Sequence, residues 1–181
     1  MVQWLVGFTD GDGSFSIYRQ SFTDKWNLTF KISQSTYNLR VLYYIKKQLG
    51  VGTVSIESKT NMASFRIRDL KTIGGIIIPI FDKYPLLTTK YFNYAKFKEA
   101  YFILTNSELT KMERNRLLED LQSRTASESY LSVAWGKVTL PLLDANEAHK
   151  VMSKPWLIGF VEAEGSFYLT SIPIELYMGL V

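Results

Sequence analysis

Two stretches decide the fold: Trp4-Leu5-Val6-Gly7-Phe8-Thr9-Asp10-Gly11-Asp12-Gly13-Ser14-Phe15, and Trp156-Leu157-Ile158-Gly159-Phe160-Val161-Glu162-Ala163-Glu164-Gly165-Ser166-Phe167. Trp, Leu, two Gly, Ser and two Phe recur at the same offsets, with acids at the same two positions. A self-match at one fixed spacing marks a repeated structural unit. Each copy reads as an apolar helix ending in acid-small-acid-Gly. Gly7 and Gly11 lie four apart and share one helix face, as do Gly159 and Ala163. Small residues at that spacing let two backbones approach closely, so the two helices are expected to pack on each other. A mid-helix Gly costs about 1 kcal/mol relative to Ala, and close packing supplies the reason for it. Gly13 and Gly165 are expected to stop the helices in a left-handed turn.

Side-by-side helices would bring Asp12 and Glu164 together at two C-termini, where the macrodipole already disfavours a carboxylate. Two like charges there require a raised pKa or a cation. Hard oxygen donors suit Mg²⁺ or Ca²⁺. Paired acids of this kind support metal-assisted phosphodiester hydrolysis. Asp10-Gly11-Asp12-Gly13-Ser14 also looks like the start of an EF-hand loop. That loop needs Gly at its sixth position and Glu at its twelfth, where this chain has Phe15 and Ser21.

Leu5 to Gly13 (LVGFTDGDG) and Leu157 to Gly165 (LIGFVEAEG) resemble the two signature helices of a LAGLIDADG homing endonuclease of the two-motif, single-chain kind. The resemblance implies an α+β fold. Its unit is an αββαββα domain with a curved antiparallel four-stranded sheet, followed by a linker and the first helix of a second repeat. It implies a site-specific double-strand DNA endonuclease, impaired here by truncation of the second repeat, with an intron-encoded RNA maturase or an inactive remnant as the alternatives. Asp12 and Glu164 would hold Mg²⁺, for which Ca²⁺ or Mn²⁺ could substitute, helped by the main chain at Gly11 and Ala163. Family members hold a Gln at the end of the second strand, as in Phe30-Lys31-Ile32-Ser33-Gln34. They hold a Lys after a break, as in Pro85-Leu86-Leu87-Thr88-Thr89-Lys90. Gln34 and Lys90 thereby become orienters of water and stabilisers of charge at the scissile phosphate. The implied partners are duplex DNA and, in the alternative, host intron RNA, with the two motifs pairing inside one chain and self-association possible because the second repeat is truncated.

The chain has 181 residues, 46% of them hydrophobic, enough for a core. Its net charge of +4 is modest, but residues 14–70 hold nine basic side chains and three acidic ones. A local surplus of this kind fits a phosphate-facing surface. No Cys is present and His149 is the only His, which excludes disulfides, Cys zinc sites and His-dependent triads. No apolar run approaches the roughly 20 residues of a membrane span. Rich use of Ile, Lys, Asn, Tyr and Phe points to an A·T-rich, mitochondrial gene.

Between the motifs, strands are expected over Ser14–Gln20, from Trp26 to Lys31, and in a hairpin of Thr53–Lys59 and Ala63–Asp69. Trp26, Leu28, Phe30 and Ile32 alternate with Asn27, Thr29, Lys31 and Ser33. One sheet face is therefore polar: Ser16, Tyr18, Gln20, Asn27, Thr29, Lys31, Thr53, Ser55, Glu57, Ser64, Arg66 and Arg68. With the resemblance, this becomes the face that lies in the major groove, with Arg66 and Arg68 suited to guanine and Gln20 and Asn27 to adenine. Helices are expected over Thr36–Leu49, over Lys71–Asp82 with Ile73, Ile76, Ile77 and Ile80 inward and a kink at Pro79, through Tyr91, Tyr94, Phe97, Tyr101 and Phe102, and over Thr110–Arg124. Residues 1–124 read as a complete domain, 125–153 as a linker with a short helix over Leu143–Lys150, and 154–181 as the start of a second domain. Ser171 to Val181 shows no strand period. A one-nucleotide shift upstream of Ile172 would account for the tail, since Glu175-Leu176-Tyr177-Met178-Gly179 matches Arg-Ile-Val-His-Gly read one base out.

Overall fold

The computed structural model describes residues 1–137, 151–169 and 176–180. His149 and the expected helix over Leu143–Lys150 lie outside the described residues. The first motif forms α1 (Val2–Asp12) and runs directly into β1 (Gly13–Arg19). Gly13 is extended, at φ −80° and ψ 156°, and not left-handed as expected. Glycine is needed there for space: a Cβ would lie 2.3 Å from Thr9 Cγ2 and 2.7 Å from the Thr9 carbonyl oxygen. Gly165 repeats the arrangement, at φ −77° with the Val161 carbonyl 2.5 Å from the absent Cβ. Each helix thus turns into its strand with no room for a side chain.

β2 (Trp26–Ser35), β3 (Thr53–Glu57) and β4 (Met62–Ile67) complete an antiparallel sheet in the order β1-β2-β4-β3. The alternation in β2 does what it dictates, since Leu28, Phe30 and Ile32 are buried on one face. α2 (Leu39–Leu49) follows a 3₁₀ turn over Thr36–Asn38 and buries Leu42 and Ile45. It stops at Gly50, whose φ of 69° a glycine adopts without strain.

α3 (Leu70–Thr72), a π turn (Ile73–Ile77) and α4 (Ile78–Lys83) run on as one helical segment. A π turn inserts extra backbone and shifts the inward face. Ile73, Ile77, Ile78 and Phe81 are therefore the buried set, and Ile76 and Ile80 are only half-buried. Pro79 sits just past this widened turn, at the start of α4. α5 (Lys90–Thr105) packs Tyr94 and Phe97 against the sheet. Phe102 leaves the expected stripe and is exposed. Phe15 is the hub of the core: its ring lies 5.2–5.4 Å from those of Phe30, Phe81, Tyr94 and Phe97. Each such aromatic pair contributes about 0.5–1.5 kcal/mol beyond burial.

α6 (Lys111–Ser123) begins with a capping box between Thr110 and Glu113. The described part of the connecting segment docks on the loop before α5. Ser132 Oγ donates to the Leu86 carbonyl at 2.5 Å, and Trp135 Nε1 to that of Leu87 at 2.8 Å. The second motif forms α7 (Lys154–Glu164), capped by Ser153, and passes into β5 (Gly165–Leu169). β5 pairs antiparallel with β6 (Leu176–Leu180), a strand that the tail's composition did not announce.

Candidate active site

α1 and α7 pack on each other. Their glycines do so reciprocally. A Cβ on Gly7 would stand 1.9 Å from the Trp156 carbonyl oxygen, and one on Gly159 would stand 2.1 Å from that of Trp4. Lower down, a Cβ on Gly11 would fall 2.4 Å from Ala163 Cβ and 2.9 Å from Glu164 Cγ. The missing side chain at Gly11 is the space through which Glu164 reaches toward Asp12.

Asp12 ends α1, half-buried. Burial first, and the nearby charge of Glu164 second, push its pKa up to about 6, against the pull of Lys90 and Gln34. Gln34, buried at the end of β2, donates its amide N–H to Asp12 Oδ2. Asn38, one helical turn on, donates to Gln34 Oε1 at 2.9 Å and so fixes which end of that amide faces the acid. Lys90 opens α5. Burial lowers its pKa, while Glu164, Asp12 and Asp10 hold its charge in place. The structure therefore gathers Asp12, Glu164, Gln34 and Lys90 at one point, from four separate elements.

The donor chemistry fits a divalent cation. Asp12 is partly desolvated, and burial first and the neighbouring Glu164 charge second raise its pKa, so a cation there would relieve both. Gly11 and Ala163 fall in the last turns of their helices, where carbonyls lack intrahelical partners. Among the described residues no group of three or more His, Cys, Asp or Glu forms, so oxygen from the main chain or from water would complete the shell.

Asp10 is the residue that sequence reasoning missed. It is 3% exposed and accepts four hydrogen bonds. Leu87 N and Thr88 N donate at 2.8 and 3.1 Å, Thr88 Oγ1 at 2.7 Å, and Trp156 Nε1 at 2.8 Å. Burial pushes its pKa up, and the four donors act against that. In the other direction Trp4 Nε1 donates to Glu162 Oε2 at 2.9 Å. Each motif's leading Trp thus grips the first acid of the opposite motif. The signal was available, because a Trp six residues before an acid recurs in both copies and a buried indole N–H seeks an acceptor.

On the sheet, register places the expected polar residues on one face, opposite Phe15, Phe30 and Phe65. Lys31 lies between Ser14 and Arg66, and Arg66 pairs with Thr53. Ser16 faces Thr29, Tyr18 faces Asn27, and Ser64 sits between Ser33 and Ser55. Thr29 and Ser64 form the buried floor, and Ser64 bonds Ser55 at 3.3 Å. Glu57 closes an ion pair with Arg66 at 2.8 Å. Gln20 and Arg68 lie one residue beyond the ends of β1 and β4, off the strands on which they were expected. Gln20 accepts from Thr23 Oγ1 at 2.7 Å.

A fold of this topology, with crossed glycine-faced helices delivering two acids to one edge of an antiparallel sheet, is that of a nuclease family. The sequence profile of the LAGLIDADG endonucleases matches residues 5–101, and the chain belongs to that family. The probable intron-encoded endonuclease Cox1-I1b of Schizosaccharomyces pombe is 45% identical over 181 residues, 98% of this chain and 44% of that protein. The uncharacterized mitochondrial protein RF1 of Saccharomyces cerevisiae is 33% identical over 172 residues, 91% of this chain and 32% of that protein. The chain thus spans less than half the length of these two relatives. Among solved structures, the LAGLIDADG meganuclease I-AabMI bound to uncleaved DNA is 27% identical with a TM-score of 0.74, covering 98% of this chain and 65% of that one. I-SmaMI bound to an uncleaved DNA target in the presence of calcium ions is 25% identical, also at TM-score 0.74, with the same coverage.

Proposed function

We propose that this chain carries the catalytic helix pair and one DNA-reading sheet of a site-specific homing endonuclease. The meeting of Asp12 and Glu164 across the Gly11 gap is the observation that carries the reading. A divalent ion, when bound, supplies Lewis acidity and lowers the pKa of water for phosphodiester hydrolysis. Asp12 and Glu164 would hold it, with main-chain oxygen at Gly11 and Ala163. Gln34 orients Asp12 and any water beside it, itself oriented by Asn38. The Lys90 ammonium stands where negative charge on a phosphate would gather. The polar sheet face takes duplex DNA through Lys31, Arg66 and their neighbours. The mitochondrial and intron-encoded fungal relatives support a mitochondrial setting.

One observation favours RNA as a second partner. Arg40, Lys46 and Lys47 are exposed on α2, away from the sheet face, and no acid lies between Thr36 and Leu49. The deciding experiment offers intronless host-gene DNA and intron RNA to the protein in Mg²⁺. Cleavage of the DNA that Asp12→Asn abolishes supports the nuclease. RNA binding that survives Asp12→Asn, without DNA cleavage, transfers the function to splicing.

A further inference from the structure

We infer that Asp10 is a positioning residue, whose buried carboxylate pins both α7 and the Lys90 loop to α1 and so sets the geometry of the acid pair and its lysine. The inference rests on the nuclease reading of that site. An ionised carboxylate offers about four acceptor positions. Asp10 receives four donors, so none is left for a cation. Two residues along a helix is a turn of about 200°, which points Asp10 away from the face that Asp12 occupies. The two acids of the motif therefore divide the work: the second meets the ion and the first holds the frame.

The frame has two arms. In one, Trp156 Nε1 reaches Asp10 from α7, eight residues before Glu164 on the same helix. A rigid helix carries any shift at Trp156 to Glu164. In the other, the Thr88 hydroxyl donates to Asp10 while accepting from Lys90 N at 3.2 Å, a two-bond relay to the start of α5. Glu162, the counterpart of Asp10, is exposed and accepts a hydrogen bond from Trp4 alone among the described residues. The two first acids are thus unequal, and this inequality distinguishes positioning from general stabilisation.

The test uses the full chain and two readouts. Mn²⁺ alone, titrated by electron paramagnetic resonance, reports the α7 arm. Acylation of Lys90, followed by mass spectrometry against the other lysines, reports the loop arm. Asp10→Asn and Trp156→Phe are expected to weaken Mn²⁺ binding about tenfold or more, the scale of outer-sphere partners at metal sites. Glu162→Gln is expected to stay within about twofold, because its amide oxygen still accepts from Trp4. Asp10→Asn and Thr88→Val are expected to speed Lys90 acylation severalfold, while Thr88→Ser keeps the hydroxyl and the wild-type rate. Folded variants that melt lower but keep the wild-type Mn²⁺ affinity and Lys90 rate overturn the inference. Wild-type protein that binds no Mn²⁺ overturns the nuclease reading instead, and the Lys90 arm then decides the inference by itself.

Discussion

Gly7 and Gly75 make opposite predictions from the same side-chain change. A methyl at Gly7 would meet a backbone oxygen at 1.9 Å, and backbone cannot rotate aside. Gly7→Ala is expected to cost about 3 kcal/mol or more in urea unfolding, at the upper end for overpacking. Gly75, in the π turn, has nothing within 4 Å of its absent Cβ. Gly75→Ala is expected to be neutral or to stabilise by up to about 1 kcal/mol through the unfolded chain. Asp12 carries a pH signature. Its folded pKa of about 6 lies above the ordinary 3.8, so its protonated form is the one that folding favours. That stability is fully present below pH 3.8 and is lost as pH rises through about 6. In metal-free buffer at pH 8, Asp12→Asn is therefore expected to melt above wild type by on the order of 1 kcal/mol, after allowing for solvent screening of a half-exposed group. The gap should close toward pH 4, as calorimetry across that range would record. Asp12 was legible in the repeated motif itself, whereas Gln34 and Lys90 entered only through the family resemblance, since neither carries a local signal of its own. The repeated Trp-to-acid spacing hinted at a partner for Asp10, but its donors lie 77, 78 and 146 residues away, and only the tertiary fold shows that Leu87, Thr88 and Trp156 converge on it.

The capping box at the start of α6 can be tested in isolation from the site. Thr110 Oγ1 accepts from Glu113 N at 3.3 Å, and the Glu113 carboxylate returns to Thr110 N at 2.9 Å. Thr110→Ala is expected to cost about 1 kcal/mol, seen as a lower denaturant midpoint with an unchanged slope. On the sheet, Lys31 sits in the inner strand β2 with Ser14 and Arg66 on either side. Lys31→Ala is expected to reduce the salt slope of duplex binding by about 1, measured by titration at several salt concentrations. The strands and helices over residues 1–124 could be read from period and punctuation, within a residue or two at most boundaries, although β2 runs four residues past its expected end at Lys31. The π turn could not, because its extra backbone leaves the local periodicity of Ile73 to Ile80 looking like an ordinary helix. Strand β6 escaped for a different reason. Leu176 to Leu180 has no alternation of its own and is a strand only because β5 pairs with it.

The two copies of the motif share a sequence but not an environment. Leu5 and Val6 are 0% and 1% exposed, while their counterparts Leu157 and Ile158 are 41% and 55% exposed, and Phe167 is 65% exposed where Phe15 is the hub of a core. Apolar surface in that arrangement associates. At micromolar concentration the chain alone is expected to sediment as species larger than a monomer, and Leu157→Gln with Ile158→Lys to return it toward one. The glycine contact has a longer reach than stability. At Gly7 and Gly159 each helix presents the other with the same missing side chain and the same tryptophan carbonyl, so the upper part of the crossing is two-fold symmetric. A crossing of that kind is indifferent to whether its halves come from one polypeptide or from two. Duplication and fusion of a gene for a single-motif ancestor could then proceed without redesigning the joint, leaving each active-site edge free to diverge.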